Sequence, residues 1–94
     1  MYVVVRTYSG QGSSDLFDLL EQRKDEVTEI ISGVPGFASY VAFRTAEGGM
    51  TVTVCEAKEG TDESSKRAAD WVAENVDATV DPPEVTEGST FLAF

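Results

Sequence analysis

The sequence contains no histidine, and that absence removes more chemistry than any other feature of its composition. Without an imidazole there is no general base of the usual kind near neutral pH, no common zinc ligand, and no Ser-His or Cys-His nucleophile pair. Cysteine is nearly absent too: Cys55 stands alone, so no disulfide can form within the chain, and a reducing cytoplasm is the expected location. Basic residues are scarce, seven against 17 acidic ones, for a formal net charge of −10. Such a surface repels phosphate backbones and anionic bilayers, so neither nucleic acid nor membrane is expected as a partner. Acidity and few lysines also suit a high-salt cytoplasm, although ordinary bacterial proteins reach similar values, and the two origins stay open. No apolar run approaches the ~18 residues of a membrane span. Met1 to Arg6 has no basic segment followed by a long apolar one, so a soluble, unprocessed protein is expected.

What is present suffices for a folded core. The 94 residues fit one domain, 1–94, and 41% of them are hydrophobic, with five Phe, three Tyr and one Trp. A chain this short buries a smaller share of its surface than a longer one, so cover from a partner subunit would matter.

Residues 2 to 8, Tyr-Val-Val-Val-Arg-Thr-Tyr, are β-branched and aromatic with apolar side chains on both faces, which predicts a central strand. Gly10-Gln11-Gly12 reads as a strand-to-helix turn, its spacing being wrong for a phosphate loop. Ser13 or Ser14 is placed to cap a helix with Asp15 in its first turn. Leu16, Leu19, Leu20, Val27, Ile30 and Ile31 recur at helical spacing and predict one continuous helix ending at a left-handed Gly33. The acids Asp15, Asp18, Glu21 and Asp25 read as its solvated side and not as a metal site. After Val34-Pro35-Gly36 a strand over 37–44 sets Phe37, Ser39, Val41 and Phe43 against Ala38, Tyr40, Ala42 and Arg44. Glu47-Gly48-Gly49 turns it into a second strand over 50–57, with Met50, Val52 and Val54 alternating with Thr51, Thr53 and Cys55. Cys55 is expected to pack as a small apolar residue. A helix opening at Gly60-Thr61-Asp62-Glu63, with Thr61 as cap, carries the stripe Ala68, Ala69, Val72, Ala73 and Val76. Beyond Pro82-Pro83 a last strand over 84–94 is expected, with a bulge at Gly88.

Strand, helix, hairpin, helix, strand is the βαββαβ order of a ferredoxin-like α+β fold, a four-stranded antiparallel sheet with two helices on one face. Nothing left in the chain covers the other face, yet both alternation sets of its strands contain apolar residues. A homodimer through that open sheet face is therefore expected.

Four segments carry a resemblance: Tyr2-Val3-Val4-Val5-Arg6, Val34-Pro35-Gly36-Phe37, Thr51-Val52-Thr53-Val54 running into Cys55-Glu56, and Pro82-Pro83-Glu84-Val85. With them the chain, over nearly its whole length, resembles the antibiotic-biosynthesis-monooxygenase-like members of the dimeric α/β-barrel proteins. The resemblance implies a pocket in each subunit between sheet and helices, and oxygenation of electron-rich aromatic molecules without a cofactor. The haem-degrading branch fits poorly, because its members use a His as iron ligand.

Trp71, at the edge of the second helix's apolar stripe, could line a pocket for a flat ligand or simply fill the core. Arg6, Tyr8, Tyr40 and Arg44 lie on strands, from which they could reach a cavity or a dimer surface. Two functions follow. In the first, a phenolic or quinone-like substrate reduces oxygen through its own anion, Trp71 stacks on it, and Tyr40 with Arg6 or Arg44 stabilises the oxyanion. In the second, the protein is a non-catalytic homodimer that binds a small molecule or another protein.

Overall fold

In the computed structural model, which describes residues 1–94, the first strand β1 (Tyr2–Ser9) lies inside the sheet as expected. The sheet has four antiparallel strands in the order β2-β3-β1-β4, where β2 is Phe37–Thr45, β3 Gly48–Cys55 and β4 Glu84–Ser89. Helices α1 (Ser13–Gln22), α2 (Lys24–Ser32) and α3 (Lys58–Asn75) complete a ferredoxin-like α+β fold. The core cluster, Tyr8, Leu16, Phe17 and Trp71, lies between the sheet and the helices. Each apolar side chain so buried contributes about 1.5–3 kcal/mol.

Several boundaries differ from the sequence reading. The single helix expected between Ser13 and Ser32 is broken at Arg23, whose φ of −120° and ψ of 37° are not helical. The break costs little hydrogen bonding, because the Arg23 N–H still reaches the Leu19 carbonyl and the Val27 N–H reaches that of Arg23. No side chain caps α1: Gly12 takes that position with φ +79°, and the Ser13 hydroxyl turns back to the Gly10 carbonyl. A Cβ at Gly12 would lie 2.3 Å from the Thr79 carbonyl oxygen, so glycine is required by space as well as by φ. The left-handed residue of the next turn is Gly36 and not Gly33, whose φ is −81°. Helix α3 starts at Lys58, ahead of the expected Thr61 cap, and Thr61 instead donates to the Lys58 carbonyl from inside the first turn.

The β2–β3 turn is only Ala46-Glu47, and both following glycines belong to β3. Both are close-packed: a Cβ at Gly48 would sit 2.2 Å from the Tyr8 carbonyl oxygen, and one at Gly49 2.4 Å from the Phe17 ring. An irregularity between Phe37 and Ser39 shifts the register of β2, so Phe37 pairs with Cys55 while Ser39 pairs with Val54. Phe37 therefore lies on the helix side with Tyr40 and not, as expected, on the face of Val41 and Phe43. No irregularity falls at Gly88, and β4 ends at Ser89. Phe91, Leu92 and Phe94 beyond it are exposed.

The helix-covered side of the sheet buries polar Arg6, Thr51 and Thr53 beside Val4, Tyr8 and Cys55, whereas its uncovered side carries Val3, Val5, Val41, Phe43, Met50, Val52 and Val54. No helix is long and apolar enough to cross a membrane.

Candidate functional site

Arg6 is the centre of the covered side. The period-two alternation of β1 turns Val4, Arg6 and Tyr8 under the helices, and Arg6 is only 2% exposed. Its Nε donates to Thr51 at 3.1 Å and its Nη2 to Thr53 at 2.8 Å, both on the neighbouring strand β3. From α3 above, Ser64 and Ser65 accept from Nη1 at 3.2 and 2.9 Å. These are hydroxyl oxygens throughout. Arg23, Arg44, Lys58, Lys66 and Arg67 each pair with a carboxylate, yet none of the 17 acids reaches Arg6. A buried charge is costly unless compensated, and neutral hydroxyls satisfy its hydrogen bonds without cancelling its charge. Burial accordingly lowers the pKa of the guanidinium, although arginine remains protonated in any case.

Tyr8 and Tyr40 flank this cation. Burial raises the pKa of both phenols, with the Arg6 charge opposing it, so at neutral pH both are hydroxyl donors. Arg6, Tyr8, Tyr40 and Trp71 enclose a cavity of about 30 Å³ whose other walls are mainly apolar, among them Leu16, Leu20 and Ile30. That volume is near the size of one water. On the α1–α2 flank, Leu20, Val27 and Tyr40 are shared with an open groove of about 590 Å³ that runs to Phe43 and Arg44. On the other flank, Arg6, Tyr8 and Val72 are shared with a groove of about 560 Å³ along α3 and Val85.

Four of the five sequence candidates thus meet at one cavity. Arg44 does not join them: it stands at the rim of the first groove, held by Asp18 at 2.7 Å and Glu21 at 2.8 Å on α1. Those two carboxylates raise its pKa, Glu21 more than Asp18. Trp71 is 7% exposed, and its indole N–H donates outward to Glu26 at 2.5 Å, leaving an apolar ring toward the cavity. Cys55 is fully buried, and burial pushes its thiol pKa up, so the thiolate is disfavoured.

The sequence reading missed the four hydroxyls around Arg6 and the Arg23–Glu26 pair beside Trp71. One signal was available: a charged residue amid valines on an interior strand needs partners at alternate positions of an adjacent strand, and Thr51 and Thr53 supply them.

No family model and no curated protein matches the sequence. Solved structures do match over nearly all of it. A monooxygenase from the ActVA-Orf6 gene of Streptomyces coelicolor, in complex with the ligand nanaomycin D, has a TM-score of 0.65 at 19% identity, covering 99% of this chain and 88% of that one. Rv0793 from Mycobacterium tuberculosis has a TM-score of 0.65 at 16% identity, covering 98% and 95%. A Chloroflexus aurantiacus protein, proposed to be an antibiotic biosynthesis monooxygenase, has a TM-score of 0.62 at 16% identity, covering 99% and 95%. The chain therefore shares the ferredoxin-like α+β fold of these three structures.

Proposed function

We propose that this protein is a cofactor-independent monooxygenase acting on a phenolic or quinone-like aromatic molecule. The observation that carries the reading is a buried arginine with no carboxylate partner, flanked by two neutral tyrosines at a small cavity that shares Tyr40, Leu20 and Val27 with an open groove. A groove of about 590 Å³ falls in the range of small-molecule sites. A flat ring lying in it directs an ionised oxygen past Tyr40 toward Arg6, where preorganised donors favour the anion in a water-poor setting. The ionised phenol gives one electron to dioxygen, and the radical pair joins through a new carbon–oxygen bond at a ring carbon bearing hydrogen. The peroxide anion so formed takes up the proton that the phenol lost on ionising, and it then loses the ring hydrogen as a proton while its O–O bond breaks, the departing hydroxide combining with that proton to leave a carbonyl and one water. Arg6, Tyr8 and Tyr40 hold the substrate oxygen, Trp71 walls the cavity, and Arg44 guards the groove mouth. No histidine is needed, because the substrate enters as its own anion.

The uncovered sheet face supports the second part of the proposal, a homodimer. Val41 is 55% and Phe43 44% exposed there, and Val3, Val5, Val52 and Val54 extend the same surface, which only a second apolar face would cover.

The test is oxygen uptake in the presence of naphthols and anthrones, without added flavin, haem or metal, against the Arg6→Met variant. Uptake that needs Arg6 supports the enzyme. Tight binding without uptake would replace it with a ligand-binding dimer.

A further inference from the structure

Trp71 is tied into a closed set of polar contacts that the chemistry above does not use. Glu26 accepts its indole N–H at 2.5 Å, and Arg23 grips both oxygens of the same carboxylate at 2.6 and 2.7 Å. The other Arg23 nitrogen donates to the Asn75 side-chain oxygen at 2.9 Å, while the Asn75 amide returns to the Trp71 carbonyl at 2.9 Å. The Arg23 guanidinium lies 5.5 Å from the centre of the Trp71 ring, within cation–π range. Arg23 is also the residue at which the first helical arm breaks. Ahead of the break Leu16 and Leu20 line the inner cavity, and behind it Val27, Ile30 and Ile31 do so.

We infer that Glu26 and Arg23 are positioning residues that hold Trp71 as a fixed wall of the cavity and pin α2 to α3, thereby setting how far a flat phenol advances from the groove toward Arg6. Three features carry this. The indole N–H is already engaged by Glu26, so the ring's orientation is set from outside the cavity. Trp71 stands on α3, while both residues that hold it stand at the junction of α1 and α2. A cavity of about 30 Å³ is so small that any displacement of its largest wall changes what enters. The inference rests on the proposed function for the identity of the ligand, and not for the state of Trp71.

The test uses the full chain, with Glu26→Ala, Glu26→Gln and Arg23→Lys variants. Trp71 is the only tryptophan, so emission maximum, acrylamide quenching and near-ultraviolet dichroism report on it directly. A dihydroxyanthraquinone, followed by its own visible absorption, reports binding. The expected result for Glu26→Ala is a red-shifted, more quenchable Trp71 and a dihydroxyanthraquinone Kd changed by roughly tenfold, as for one lost charge-assisted hydrogen bond. Glu26→Gln, which keeps an oxygen for the indole N–H, restores most of both signals, and Arg23→Lys falls between. Unchanged emission, quenching and affinity in folded Glu26→Ala would overturn the inference, whatever happened to its melting temperature. If Glu26→Ala does not fold, Glu26→Gln and Arg23→Lys decide by the same signals, Trp71 identical to wild type in both being the contrary result. If wild type binds no dihydroxyanthraquinone, the proposed substrate class fails and Trp71 spectroscopy alone decides the positioning role.

Discussion

Arg6 Nη2 and the Thr53 hydroxyl oxygen lie 2.8 Å apart in the interior, with Arg6 2% and Thr53 0% exposed. A cation held by threonines and serines keeps most of its charge for a ligand, whereas one held by a carboxylate would not. Replacing Arg6 by Met removes both a desolvation cost and the donors of four hydroxyls, which offset one another. The variant is expected to fold, with stability within about 2 kcal/mol of wild type by chemical denaturation. Its affinity for a phenolate is expected to fall roughly ten- to a hundredfold by spectral titration, the loss of a hydrogen bond to charge.

Tyr8 and Tyr40 make a prediction about alkaline pH. Both folded pKa values lie above the ordinary 10.0, and burial is the main cause. A raised pKa means that the folded state holds its proton more tightly than the unfolded chain. The associated stability is complete below 10 and is lost as pH rises from there through the folded values. Denaturation midpoints should fall over that window, and ultraviolet titration should show phenols ionising late. Tyr40→Phe should keep the fold, lose part of this dependence, and weaken phenol binding by roughly two- to tenfold.

Glu26 makes the opposite prediction at acid pH. Its pKa is lowered, chiefly by the Arg23 hydrogen bonds and then by that of Trp71. A depressed folded pKa supplies stability above the unfolded value of 4.5, lost as pH falls from there through the folded one. Trp71 emission should hold steady through neutrality and change as the carboxylate protonates, following a single titration below 4.5.

Gly49 faces the Phe17 ring, and an added Cβ would come within 2.4 Å of it. Gly49→Ala forces the ring to move in a filled core and should cost about 1–3 kcal/mol, measured by urea unfolding. Gly88, which has open space around it, provides the control: Gly88→Ala should leave stability nearly unchanged.

The uncovered face predicts association. Val41→Glu places a charge on the exposed apolar surface and should convert a dimer into a folded monomer in sedimentation at micromolar concentration. A wild-type protein monomeric in both low and high salt would contradict the dimer. The exposed side chains of Phe91, Leu92 and Phe94 add to the apolar surface that a second copy would cover.

Element order and the central place of β1 were legible in the sequence because they rest on periodicity, which local residues express directly. The break at Arg23 was not. No proline or glycine marks it, and the contacts that accompany it come from Trp71 and Asn75, some 50 residues later. The β2 irregularity that moves Phe37 to the helix side was hidden for a related reason: register depends on the partner strand, and a run such as Phe-Ala-Ser-Tyr alternates acceptably either way. Sequence reasoning picked out Arg6, Tyr8, Tyr40 and Trp71 by residue type, and they do converge. It also picked Arg44, which could not be separated from Arg6 without knowing that Asp18 and Glu21 stand above it.

The most direct test follows labelled dioxygen in the reaction of wild-type protein with a hydroxylated anthrone, without added cofactor, beside the Arg6→Met variant. The expected result is one labelled oxygen atom in each new carbonyl, the other in water, at a rate well above the spontaneous oxidation seen with the variant. Equal rates for wild type, variant and buffer, across naphthols and anthrones alike, would contradict the assignment of a monooxygenase centred on Arg6.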